Sequence, residues 1–98
     1  MNQSAKKLKV AHPEVELLSE LGDVVRKRRL ALDLSQEELA RRAGVHRTYL
    51  SDIERGARNI TITVLARLAD ALEVKVSRLF RLTEQSGFDQ PAKGRSSR

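Results

Sequence analysis

The sequence predicts one all-α domain, a compact bundle of five helices. Three observations lead there. Aromatic content is 3% with no Trp and no Cys, so the interior must be built from Leu, Val, Ile and Ala. From about Leu18 to Leu82 the apolar residues recur at helical spacing. The stretch QEELARRAGVHRTYLSDIER, Gln36 to Arg55, carries Leu39, Ala40 and Ala43, then Val45, Leu50 and Ile53, where two short helices crossing steeply need them, with Gly44 at the break. A chain of 98 residues has room for one small domain, and folding buries only about 60% of the surface at that size.

Residues 1–12, MNQSAKKLKVAH, are polar, carry Lys6, Lys7 and Lys9, and show no sustained periodicity. They read as a flexible basic arm, either a solubilising leader or an arm that reaches phosphates. The domain proper spans 13–82. Pro13 suits a first helical turn, and Glu14 and Glu16 suit its positive dipole end. The first helix is clearest from Leu18, with Leu18, Leu21, Val25 and Leu32 at core spacing, Arg26, Lys27 and Arg28 projecting elsewhere, and Gly22 weakening it locally. Asp33-Leu34-Ser35 then turns the chain, and Ser35 with Glu38 forms a capping box, S-x-x-E.

Helix two runs from Gln36 to Ala43 and helix three from His46 to Arg55, with Gly56 as the stop. After the loop Ala57 to Ile60, the run Thr61 to Glu73 sets Val64, Leu65, Leu68, Ala69 and Leu72 on one face of helix four. The turn Glu73-Val74-Lys75 leads to a short fifth helix, Val76 to Leu82, with Ser77 as its cap if it starts later. The apolar residues of that helix exceed the single stripe a small monomer needs. Leu79, Phe80 and Leu82 are therefore expected to face a second copy of the chain. Residues 83–98, TEQSGFDQPAKGRSSR, read as a flexible tail in which Phe88 is the one large apolar residue.

A formal charge of +6 and a pI near 10.3 favour a polyanionic partner. The absence of Cys removes disulfide frameworks and thiolate metal sites, and fits a reducing cytoplasm. No signal peptide or membrane span is evident, so a soluble cytoplasmic protein with no membrane partner is expected. His12 and His46 stand in different contexts with no metal-ligand spacing, and no P-loop or Gly-rich nucleotide fingerprint is present. Neither an enzyme, nor a metal, nor a cofactor is expected.

The Gln that opens helix two, the Ala-Gly-Val turn and the ending ERG followed by a helical run together resemble the helix-turn-helix of the lambda repressor and Cro family, often called XRE-like. The run HRTYLSDIERG in so compact a chain is similar to restriction-modification controller proteins and small phage-type repressors. The resemblance implies a lambda-repressor-like fold and a sequence-specific transcriptional regulator, a repressor or controller, binding a double-stranded DNA operator as a homodimer. No ligand-sensing domain follows the motif, so no small-molecule effector is expected. The alternative within the same fold is an antitoxin or adaptor that binds protein through a helical face. An acidic or apolar recognition helix would favour that alternative, and this helix presents Arg47, Thr48 and Tyr49.

In such a motif the second helix enters the major groove with its N-terminal residues at base edges. Arg47 can place two donors on guanine O6 and N7, and Thr48 offers a methyl for thymine and a hydroxyl for a polar edge. The alternative for Arg47 is a solvated or phosphate-bound arginine. Tyr49 either touches the DNA or packs at the helix face. Ser51 and Asp52, one turn on, match positions from which family members read bases. Asp52 would accept from cytosine N4 or, the preferred reading, brace Arg47. Gln36, His46, Arg58 and Asn59 are assigned to phosphates, with Arg55 and Thr61 nearby, although this loop also needs polar residues merely to turn and cap. Arg41 and Arg42 are read as solvated. The resemblance also pairs Glu54 with Arg29 on helix one as a partly buried structural ion pair. Where family members often carry Gly, this chain has Asp33.

Overall fold

The computed structural model describes residues 12–83. The arm 1–12 lies outside them except for His12, and the tail 83–98 except for Thr83. Five helices follow in order: α1 (Pro13–Ala31), α2 (Gln36–Ala43), α3 (Arg47–Glu54), α4 (Ile62–Ala71) and α5 (Val76–Thr83), with no strand among the described residues. Pro13 opens α1, Glu14 and Glu16 occupy its first turn, and Arg28 and Arg29 its last, so charge and macrodipole agree at both ends. Ser35 accepts from the Glu38 amide at 3.0 Å, and Thr61 caps α4 by accepting from Val64 N at 3.1 Å.

Four helix ends share one device. The residue just past the end takes a left-handed backbone, at Asp33 (φ 58), Gly44 (φ 72), Gly56 (φ 73) and Glu73 (φ 61). The next amide then reaches back to a carbonyl five residues earlier: Leu34 to Arg29, Val45 to Ala40, Ala57 to Asp52 and Val74 to Ala69, at 2.9–3.0 Å. Asp33 and Glu73 carry a side chain there at a cost of about 1 kcal/mol each. That cost is offset where the following residue, Leu34 or Val74, packs against the core. The fourth helix therefore ends at Ala71, two residues before the sequence reading placed its end.

The core holds Leu21, Val24 and Val25 of α1, Leu39, Ala40 and Ala43 of α2, Leu50 and Ile53 of α3, Leu65, Leu68 and Ala69 of α4, and Leu34, Leu72 and Leu79. Each fully buried Leu contributes roughly 1.5–3 kcal/mol. The helix pair α2 and α3 is held between α1 on one side and α4 on the other, and α5 closes the bundle against α1 and α4. Leu18 and Leu32 are only half-buried, and Val24 and Arg29 complete the inward face of α1 instead. Arg28, expected to project away, is half-buried and donates from Nε to the Leu72 carbonyl at 2.9 Å, tying α1 to the end of α4.

Three further expectations need correction. Leu79 is fully buried within its own chain, because α5 turns it onto the bundle, so it has no surface to offer a second copy; Phe80 and Leu82 are half-buried. Thr83 belongs to α5 rather than to the tail, fully buried with its hydroxyl donating to the Leu79 carbonyl at 2.7 Å. Gly22 is a place of close approach, more than a weak point in a helix. A Cβ there would lie 2.3 Å from the Ile53 oxygen and 2.8 Å from the Glu54 oxygen. On the same side, a Cβ at Gly56 would lie 2.8 Å from the Ser19 Cα, so α1 runs directly against the backbone of 53–56.

Gly22→Ala therefore sets two effects against each other. Helix propensity favours Ala by about 1 kcal/mol. The methyl would meet backbone oxygens that cannot rotate away, and overpacking of this kind costs about 1–3 kcal/mol or more. Net destabilisation is expected, read as a lower urea midpoint; a raised midpoint would show that the carbonyls yield. A pH effect follows from Glu38, whose carboxylate accepts from Arg41 Nη2 at 2.6 Å and Arg42 Nε at 2.8 Å. The bonds from Arg41, then Arg42, lower its pKa from 4.5 to about 2. The stabilisation is thus present above the ordinary carboxylate range and is lost as pH falls towards about 2. Urea midpoints of the wild type should fall over that interval more than those of Glu38→Gln, and parallel curves would contradict this.

Candidate nucleic-acid interface

α3 divides into two faces. Leu50, Ile53 and Glu54 point inward, while positions 47, 48, 51 and 52 recur at helical spacing on the other side. Arg47 and Thr48 are exposed, as is His46 at the N-cap, and Tyr49, Ser51 and Asp52 are half-buried. Core packing leaves this outer stripe no apolar partner. It is open at the start of the helix, at Arg47 and Thr48, and partly covered towards its end, at Ser51 and Asp52.

Behind the stripe lies a chain of polar side chains. Arg29 donates from Nε to Glu54 Oε2 at 2.7 Å and from Nη2 to Oε1 at 3.0 Å, a two-pronged ion pair, and its Nη1 donates to the Leu34 carbonyl at 2.8 Å. The two side chains are 10% and 2% exposed. The hydrogen bond to Glu54 raises the Arg29 pKa despite its burial. Gln36 Nε2 donates to Glu54 Oε1 at 3.0 Å. Only the amide nitrogen can serve a carboxylate, which fixes the amide orientation and turns its oxygen outward. That oxygen accepts from Arg47 Nη1 at 3.3 Å, and Arg47 Nε lies 3.6 Å from Glu37 Oε2. The structure thus joins Arg29, Glu54, Gln36 and Arg47 in one series, and no buried side-chain polar atom among the described residues lacks a partner.

Asp52 does not brace Arg47. Five residues along a helix is about 140° of rotation, so the two side chains diverge. The Asp52 carboxylate instead pairs through Oδ1 with Arg55 and through Oδ2 with Arg58 Nη2 at 3.1 Å. Arg58 also lies over the Tyr49 ring, 4.8 Å from its centroid. The Tyr49 hydroxyl reaches the Asn59 carbonyl at 3.5 Å, the outer limit for a hydrogen bond. Tyr49 therefore packs at the helix face and touches the loop in the same pose. Thr61 is taken up as a helix cap.

A shallow surface cavity between the turn, α3 and α4 is lined by His46, Thr48, Tyr49, Arg58 and Asn59. It gathers both expected phosphate ligands of the loop beside the start of α3. It also includes Arg67 of α4, which the sequence reading did not single out. Arg67 Nη1 lies 3.9 Å from the position of a Cβ on Gly44. In the sequence it is one more polar residue on the outer face of an amphipathic helix. Only the crossing of α4 behind the turn brings it to this surface.

A buried helix pair that presents a polar, arginine-bearing second helix defines a helix-turn-helix DNA-binding regulator. Comparison with known proteins gives the family: the chain belongs to the helix-turn-helix family, whose sequence model matches residues 25–79. It is 46% identical over 65 residues to control protein C.SmaI of Serratia marcescens, covering 66% of this chain and 75% of that one. It is 40% identical over 70 residues to control protein C.BamHI of Bacillus amyloliquefaciens, covering 70% and 86%. Among solved structures it is similar to the restriction-modification controller protein C.AhdI of Aeromonas hydrophila, with a TM-score of 0.62 and 39% identity over 63% of this chain and 94% of that one. The family is one of DNA-binding regulators rather than enzymes. No helix among the described residues is long and apolar enough to cross a membrane.

Replacing Arg29 by Met leaves the Glu54 carboxylate buried with Gln36 as its remaining side-chain donor. A loss of about 3–5 kcal/mol in unfolding free energy is expected from an ion pair broken on one side. Chemical denaturation measures it. A loss below about 1 kcal/mol, the range of exposed pairs, would show that the pair is solvated in solution.

Proposed function

We propose that this chain is a cytoplasmic controller or repressor of transcription that binds a roughly palindromic DNA operator as a homodimer. The observation that carries the reading is the outward stripe of α3, with Arg47 at its start held by Gln36. A guanidinium already oriented loses less freedom when it meets a guanine edge. Arg47, Thr48 and Tyr49 read base edges, with Ser51 and Asp52 one turn further along. Gln36, His46, Arg58 and Asn59 meet phosphates on either flank. Gln36 retains a second amide hydrogen for an anion after serving Glu54.

The dimer reading rests on Phe80 and Leu82, half-buried on a short helix at the edge of the bundle. A two-fold pair would set its recognition helices about 34 Å apart, one turn of DNA. The control-protein names of C.SmaI and C.BamHI support the controller reading. Whether the bound protein blocks or recruits polymerase follows from where the operator lies relative to the promoter.

Arg47→Ala tests the site. Binding to a set of duplexes substituted base by base should lose discrimination at one base pair per half-site, at roughly 1–3 kcal/mol, while the other positions keep theirs. Equal weakening on every duplex would make Arg47 a phosphate contact. Wild-type affinity should fall steeply with salt as counterions are released. A flat response would contradict DNA binding altogether.

A further inference from the structure

We propose that Asp52 is a specificity-determining residue that acts by charge, lowering affinity for arbitrary duplex DNA so that operator sequences stand out. The inference rests on the DNA-binding reading above. Asp52 lies outside the buried face of α3, one turn on from Thr48 and next to Ser51, at the edge of the outer face away from Arg47. Its side chain is 21% exposed, against 62% for Arg55 and 49% for Arg58, and both carboxylate oxygens are taken by those arginines. The loop that carries them is folded back by the Ala57 amide, which donates to the Asp52 carbonyl at 2.9 Å. Arg58 is set over Tyr49 in the same arrangement.

Two arginines and one carboxylate leave this corner of the interface a net +1 where the arginines alone would give +2. Every duplex presents the same phosphates, so the carboxylate weakens binding to all sequences alike. Only a base edge that donates, such as cytosine N4, offsets the penalty. Specificity is a difference of affinities, and a group that repels the wrong partner raises it as effectively as one that attracts the right partner. Asp52 also holds Arg55 and Arg58 close to the end of α3, which restricts the phosphates they can reach.

Asp52→Asn keeps the side-chain shape and removes the charge. Binding of wild type and D52N to a random-sequence duplex, measured by fluorescence anisotropy across a salt series, distinguishes the outcomes. D52N should bind the random duplex roughly fivefold to tenfold tighter near ~0.1 M salt, with a log-log salt slope steeper by about one per protomer. Its preference for the tightest duplex selected by the wild type should shrink. The double variant D52N/R55Q restores the local charge and should return random-duplex affinity to near the wild-type value. If D52N folds poorly by circular dichroism, Asp52→Ser should give the same gain. Unchanged or weaker random binding by D52N, beside a wild type with steep salt dependence, overturns this inference alone. A wild type that binds no duplex overturns the DNA-binding reading with it.

Discussion

The ion pair between Arg29 and Glu54 is the contact on which the remaining geometry depends. One guanidinium joins α1, the carbonyl of Leu34 in the first turn, and the last residue of α3. Glu54 then takes Gln36, the first residue of α2, and Gln36 takes Arg47, the first residue of α3. The ends of three helices and a turn are therefore fixed by four side chains. The backbone meets the same requirement, because Gly22 lets α1 come against the oxygens of Ile53 and Glu54, beside the pair. Burying two charges is costly, and a buried pair adds little net stability over an apolar replacement. Stability comes from the Leu, Val, Ile and Ala core; the pair fixes how α1, α2 and α3 meet.

The outer face follows another economy of interactions. Its arginines are occupied in the free chain, Arg47 by Gln36 and Glu37, Arg55 and Arg58 by Asp52, and Arg58 also by the Tyr49 ring. Exposed pairs of this kind contribute about 0–1 kcal/mol each. In the proposed complex they would be exchanged for phosphate oxygens or base edges at small cost, and in the free chain they hold these long side chains in place. A buried network that resists exchange thus lies beneath a surface network that permits it, joined at Gln36.

Much of this was legible in the sequence because the relevant rules are local. Helical periodicity, the Ser35 cap and the two turn glycines at 44 and 56 placed five helices to within a residue or two. The pairing of Arg29 with Glu54, 25 residues apart, came through the family resemblance; periodicity alone would have made Arg29 one basic residue among four. The misreadings share a cause, since each depends on what crosses a helix. Gly22 looked like a weak point because α3 was not yet beside it. Leu79 looked like surplus surface because the burial provided by α1 and α4 was not visible. Asp52 was assigned to Arg47 along its own helix, whereas the loop after α3 brings Arg58 back over it. Glu73 was read as both the end of helix four and the start of the turn; the structure puts it in the turn, where the Val74 amide bonded back to Ala69 holds its left-handed backbone.

Selection of bound sequences from a random duplex pool decides whether this helix pair reads DNA sequence as a two-fold dimer. An enriched motif of two inverted half-sites is expected, their centres about 10 base pairs apart, one turn of B-DNA. Recovery of no motif would contradict sequence reading by α3. A single unpaired half-site would contradict the dimer.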